Sequence, residues 1–169
     1  YVLLSGNETG MLLLDYICAQ RIKHNRMPEE PVMIKTIVTM DMSRRIAENY
    51  GVRTIDVLTG FKFIGEQIGL LEKQGKTDSY VFGFEESCGY LRGTHARDKD
   101  AVVASMLCAE MVCYYSYIGK SVYQRLQEIY AKYGFVLDKN VSIQYSGLNE
   151  MKEMNGVKKK KKTMDVTEL

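Results

Sequence analysis

The stretch VMIKTIVTM, residues 32–40, decides how this chain folds. It is β-branched and nearly all apolar. Such a run predicts an interior strand covered on both faces, the habit of strands in parallel sheets. The turn RMPEEP (26–31) precedes it, and a short helix carrying Met42 and Ile46 follows, ending near Gly51. Working outward, VRTIDVL (52–58) and SYVFGF (79–84) read as two further strands. Between them Phe61, Ile64, Ile68 and Leu71 fall on one face of a helix.

Upstream, Ser5 and Glu8 stand at capping-box spacing, and Met11, Leu14, Cys18 and Ile22 continue with a helical period, giving a helix over about 8–24. Downstream, Asp98 or Asp100 can cap a long helix running to about Ile118, predicted to be buried, and Gly119 breaks it. Val122, Leu126, Ile129 and Tyr133 stripe one more helix up to Gly134, and NVSIQYSG (140–147) reads as a last, edge strand. Strands alternating with helices predict a layered α/β/α sandwich with a small, largely parallel mixed sheet of four strands.

The 169 residues make one good-sized domain. Net charge is +2, but KKKKK at 158–162 supplies five positives; removing these from 23 Lys and Arg leaves 18 against 21 Asp and Glu, or −3. The body is mildly acidic, which argues against a nucleic-acid partner. The apolar segment 101–118 contains Ser105, Glu110 and Ser116, which marks a core helix rather than a membrane span. Cys18, Cys88, Cys108 and Cys113 have no CxxC spacing and read as free buried thiols of a cytoplasmic protein. His24 and His95 sit at no ligand spacing, so no metal site is predicted.

In a parallel sheet, ligands gather beyond the C-terminal strand ends. Two loops fall there, LTGFK (58–62) and GFEES (83–87). Adjacent carboxylates on a strand end point to opposite sides, so Glu85 and Glu86 are not expected to share one task. Hydroxyl recognition suits Glu85 better than metal binding or acid/base work: a carboxylate accepts two hydrogen bonds and a vicinal diol offers two donors. Ser87 lies on the same side as Glu85 if the backbone stays extended, and Gly83 and Gly89 would let the backbone approach a ligand closely. A solvated acidic turn is the plain alternative.

The motif set GFEESCGY (83–90), LTGFKFIGEQI (58–68), ARDKDAVVAS (96–105) and NETGMLLLDYI (7–17) resembles the third domain of the α-D-phosphohexomutases, the phosphoglucomutase and phosphomannomutase family. The resemblance implies an enzyme interconverting hexose 1-phosphate and hexose 6-phosphate through a phosphoserine and a hexose bisphosphate. In that family the serine, a Mg2+ loop and a phosphate-gripping loop belong to other domains, while the third domain holds the sugar hydroxyls. Carried over by position, Glu85 and Ser87 become the sugar contacts, Thr59 and Gly60 the turn beside the sugar, and Lys99 the cation near the moving phosphoryl group, with Lys62 second to it. Cys88 following the serine is the pattern of the phosphoglucomutase-like branch.

Neither a serine loop, an Asp-Gly-Asp-x-Asp-Arg metal loop nor an Arg-Ser-Gly phosphate loop occurs in these residues. The expectation is therefore a domain without its partner domains and without catalytic residues or turnover of its own. Residues 1–6 read as a remnant of a preceding domain, 7–147 as the domain itself, and 148–169 as a linker or disordered lysine-rich tail. A standalone α/β carbohydrate- or ligand-binding module is the alternative; a small hydrolase or metal enzyme using Glu85 and Glu86 lacks a nucleophile and ligands.

Overall fold

A computed structural model describes residues 2–137. The expected strand at 140–147 and the lysine-rich tail lie outside these residues. The chain forms α1 (Gly6–Lys23), β1 (Val32–Thr36), α2 (Met42–Asn49), β2 (Arg53–Val57), α3 (Phe61–Lys73), β3 (Tyr80–Glu85), β4 (Gly89–Leu91), α4 (Ala101–Tyr117) and α5 (Val122–Tyr133). The sheet order is β2-β1-β3-β4. β1 runs parallel to β2 and β3, while β4 returns antiparallel to β3. All five residues of β1 are buried, as an interior strand requires.

Alternation along the strands, shifted once where the β1–β3 register is irregular between Val32/Tyr80 and Met33/Phe82, separates two cores. Met33, Phe82, Phe84 and Tyr90 face a layer containing α1, α2, α4 and α5, whereas Val32, Ile34, Tyr80 and Leu91 face α3. This is the α/β/α sandwich. On the first face Phe82, Phe84 and Tyr90 stack with ring centroids 5.6–6.4 Å apart. Gly10 of α1 admits this stack, because a Cβ there would stand 2.2 Å from the Phe84 ring. On the second face Gly83 does the same for α3: a Cβ would stand 2.9 Å from Ile64 Cγ2 and 2.6 Å from the Tyr80 hydroxyl. Gly83 thus serves helix–sheet packing.

Three expectations change. β1 stops at Thr36 instead of Met40, because the Thr39 amide donates to Thr36 O at 3.0 Å and the two threonine hydroxyls meet at 2.8 Å, closing a turn. Residues 89–91, given no element in the sequence reading, form an antiparallel edge strand; three residues are too few to show a period. α4, expected to be buried, fully buries only Ala104, Met111 and Tyr115. On α4 Cys113 is accordingly exposed and Cys108 half-buried, while Cys88 is exposed in the turn between β3 and β4 and Cys18 is buried in α1; all four are free. Among the described residues no single helix is long and apolar enough to cross a membrane.

The helix termini follow their sequence signals. Ser5 and Glu8 form the full capping box on α1, and Asp100 rather than Asp98 caps α4 through the Val102 and Val103 amides. Asp15 was not anticipated as a structural residue. Fully buried in α1, it accepts from Arg125 Nε and a second guanidinium nitrogen (both at 2.9 Å) and from the Tyr50 hydroxyl at 2.9 Å. One carboxylate thus ties α1 to α5 and to the C-terminal cap of α2.

Candidate functional site

β2 and β3 run parallel on either side of β1, so LTGFK and GFEES emerge at the same end of the sheet. They touch there. Glu85, the last residue of β3, is on the α3 face by alternation with Gly83, and its Oε1 accepts the Gly60 amide at 2.9 Å. Gly60 is the N-cap of α3 with φ +121°, a region open essentially to glycine alone. The carboxylate therefore takes the N-cap residue's own amide at a helix N-terminus, where negative charge is favoured. Glu85 is only 6 % exposed. Oε2 and the second lone pair of Oε1 remain for further donors.

Glu86 diverges from it. The Thr36 hydroxyl donates to Glu86 Oε2 at 3.4 Å, a long contact on the side of α1. The chain then turns through 86–88 and returns as β4, with Glu85 paired to Gly89. The extended backbone that would set Ser87 beside Glu85 is thus replaced by a hairpin, and Ser87 sits exposed at its tip. Cys88 closes the turn at φ +63°, the left-handed position usually given to glycine in three-residue hairpins. Gly6 lets the first turn of α1 press on this hairpin, since a Cβ there would stand 2.0 Å from Glu86 O.

Lys99 approaches from the loop before α4. A Cβ on Gly89 would stand 3.2 Å from Glu85 Oε2 and 3.2 Å from Lys99 Cδ, so the missing side chain is what lets the lysine stem cross beside the carboxylate. Lys99 Nζ lies 5.9 Å from the Phe61 ring centroid and bonds Asp98 Oδ1 at 3.0 Å. The Asp98 carboxylate, with Glu85 adding less, holds the ammonium above its ordinary range. The same bond, with the Lys99 amide, holds Asp98 below the usual carboxylate range. Glu85, Gly60 and Lys99 are thus brought together. Thr59 is exposed one residue before Gly60, and Lys62 lies on the first turn of α3 with its ammonium folded over Phe63 at 4.8 Å.

Gly89 and Phe61 complete this corner; the sequence reading gave Gly89 a close backbone approach to a ligand and Phe61 a place on one face of a helix, without setting either beside Glu85 and Lys99. Lys35 escaped that reading altogether. Its ammonium is buried near the C-terminal end of β1, within 3.0 Å of Thr39 O and Asp41 Oδ1 and 3.2 Å of Asp56 Oδ1. A lone lysine in an apolar strand was the available signal, since a buried charge must be partnered. No group of three or more His, Cys, Asp or Glu side chains that could hold a metal occurs among the described residues. With Glu85 turned to Gly60 and Glu86 toward Thr36, the paired carboxylates do not fit a magnesium site.

A family model described as phosphoglucomutase/phosphomannomutase, alpha/beta/alpha domain III, matches residues 5–133, the span from the α1 cap to the end of α5. The chain belongs to this family. Its matched part is the family's domain III. A phosphoglucomutase of Staphylococcus haemolyticus is 32 % identical over 152 residues, covering 90 % of this chain and 26 % of the relative. One from Staphylococcus aureus is 33 % identical over 153 residues, with the same coverage. The chain spans about a quarter of the length of these curated relatives. Among solved structures, the open form of the Paramecium phosphoglucomutase pp63/parafusin superposes with TM-score 0.59 at 16 % identity, over 79 % of this chain and 22 % of that one. A Thermus thermophilus protein assigned as a phosphomannomutase gives TM-score 0.56 at 22 % identity, over 81 % of this chain and 30 % of that one. At such identities the superpositions speak for the fold of this phosphohexomutase domain.

Proposed function

We propose that this domain is the sugar-holding part of a cytoplasmic phosphohexomutase that interconverts hexose 1-phosphate and hexose 6-phosphate through a phosphoserine and a hexose bisphosphate. The observation that carries the reading is the Glu85 corner. A buried carboxylate is fixed by one backbone N–H, with a lysine crossing beside it at the C-terminal edge of a parallel sheet. Fixing one oxygen on Gly60 removes the rotational freedom of the side chain before a ligand arrives, so hydroxyl donors meet a preorganised acceptor. The sugar's 3- and 4-hydroxyls lie near the axis about which the bisphosphate must turn, so one acceptor can serve both orientations. In this reading Glu85 and Ser87 accept or donate to the hydroxyls, Thr59 and Gly60 form the adjoining wall, and Lys99, with Lys62 beyond it, faces the phosphoryl group. Glucose phosphates are favoured by the Cys88–Gly89 ending of the loop.

Phosphoryl transfer rests on positioning and on charge stabilisation by a serine loop, a magnesium loop and a phosphate loop. Each is assigned to the remaining domains, which are the partners this domain requires. The 169-residue chain is therefore expected to show no mutase turnover with magnesium and hexose bisphosphate supplied. Hexose phosphates should bind it more weakly than about 1 mM. A coupled assay on chain freed of host mutase, with chemical-shift titration by glucose 1-phosphate, tests this. Turnover by the chain alone, or shifts that avoid residues 59–62 and 85–89, would refute it.

A further inference from the structure

The other end of β3 carries a second basic feature that the sugar site does not use. Tyr80 begins the strand that Glu85 ends, about 17 Å away at strand spacing. Two adjoining clefts open there, of about 540 and 420 Å³, and Arg21, Arg26 and Arg92 line both. The larger runs between α1 and α4 and falls in the size range of small-molecule sites.

The three guanidinium groups differ from others in this chain. Arg44 pairs with Asp56, Arg97 with Glu72, and Arg125 with Asp15 and Glu128. Among the described residues no ion pair holds Arg21, Arg26 or Arg92. Arg21 Nε is buried with no hydrogen-bond partner there. Burial, and next the charge of Arg92, hold the Arg21 guanidinium below its ordinary range, so like charges face one another across the cleft. The carboxylates lining the clefts are Asp78 and Glu110, and Glu110 already accepts the Tyr16 hydroxyl at 2.8 Å. A buried donor without an acceptor and mutually repelling cations are both relieved by one multivalent anion.

We infer that the cleft between Arg21, Arg26 and Arg92 binds the phosphoryl group of a small molecule, at a site separate from the sugar loop. A dianion matches three guanidinium forks better than a carboxylate does. The Val103 and Leu107 side chains on the α4 wall would face the body of the ligand.

The test is a titration of the full chain with inorganic phosphate at constant ionic strength, following the arginine Nε–Hε resonances. Saturable shifts of Arg21 and Arg92 with a midpoint below about 10 mM are expected. R92Q, and independently R26Q, should raise the midpoint about tenfold, the loss of one charged hydrogen bond. E85Q should leave it unchanged, which separates this site from the sugar reading. Glucose 6-phosphate should compete with phosphate in the E85Q background. Shifts that grow linearly to 50 mM, on the order of fivefold beyond that midpoint, would overturn the inference. So would a midpoint unmoved in both arginine variants, or displacement of phosphate by an oligoglutamate peptide but not by glucose 6-phosphate.

Discussion

Helices α1 and α4 are nearly equal in length, 18 and 17 residues, and both are rich in apolar side chains on every face. α1 is buried over most of its length, from Gly6 to Cys18. α4 leaves Val102 at 70 %, Met106 at 66 % and Tyr117 at 90 % exposed. The difference comes from what each helix can approach. Gly6 and Gly10 let α1 close on the hairpin and on Phe84, and Asp15 locks its far side to Arg125 and Tyr50. α4 has no glycine; it seats through Ala104, Met111 and Tyr115, with Leu107, Cys108 and Tyr114 only partly buried against the same core, and its tie to α1, the Tyr16 hydroxyl donating to Glu110, is only part-buried. Apolar composition makes burial favourable; close-approach positions and polar locks decide which helix obtains it.

The largest effect expected from this contrast is at Asp15. Asp15→Ala leaves the Arg125 guanidinium without its bidentate partner inside the fold. Removing one member of a buried pair costs about 3–5 kcal/mol, measured by urea unfolding. A loss under about 1 kcal/mol would place α1's stability elsewhere.

Gly10→Ala comes next. Alanine raises helix propensity by up to about 1 kcal/mol, but the added Cβ lies 2.2 Å from the Phe84 ring, which is fully buried and packed against both Phe82 and Tyr90. Overpacking of this kind costs about 1–3 kcal/mol, so a net loss is expected; a gain would show that α1 can lift off the sheet freely.

On α4, Met106→Gln should change stability by less than about 0.5 kcal/mol, as for exposed positions generally. Thiol labelling sharpens the same point without mutation. Cys113 and Cys88 should react in the native state, whereas Cys18 should not, being buried with its thiol pushed up to about 12. Protection of Cys113 would mean that the outer face of α4 is covered.

Much of this fold was legible because its signals are local. The apolar run at 32–40 placed the interior strand, Ser5 and Glu8 placed the start of α1, and Phe61, Ile64, Ile68 and Leu71 are all buried on α3 as their spacing required. The converging loops were legible for a topological reason, since parallel neighbours of one strand deliver their C-terminal ends together. What escaped depends on partners distant in sequence. Asp15 meets Arg125 110 residues later, Gly89 matters because Glu85, Lys99 and Phe61 crowd its Cα, and the exposure of α4 depends on which other described elements pack against it. Ser87 escaped for a smaller reason: a hairpin of three residues reverses the chain before alternation can place the hydroxyl.

Two adjacent glutamates are expected to do different work, Glu85 as the buried acceptor fixed on Gly60 and Glu86 as a bystander turned toward Thr36. Glu85→Gln and Glu86→Gln in the full-length mutase, compared by kcat/KM for glucose 1-phosphate, test it most directly. Hydrogen bonds to a charged acceptor contribute about 1.5–3 kcal/mol, so Glu85→Gln should lower kcat/KM by roughly ten- to a hundredfold. Ser87→Ala should cost about 1 kcal/mol for a neutral bond, and Glu86→Gln less than that. Equal losses at Glu85 and Glu86, or full activity in Glu85→Gln, would overturn this division between the two glutamates.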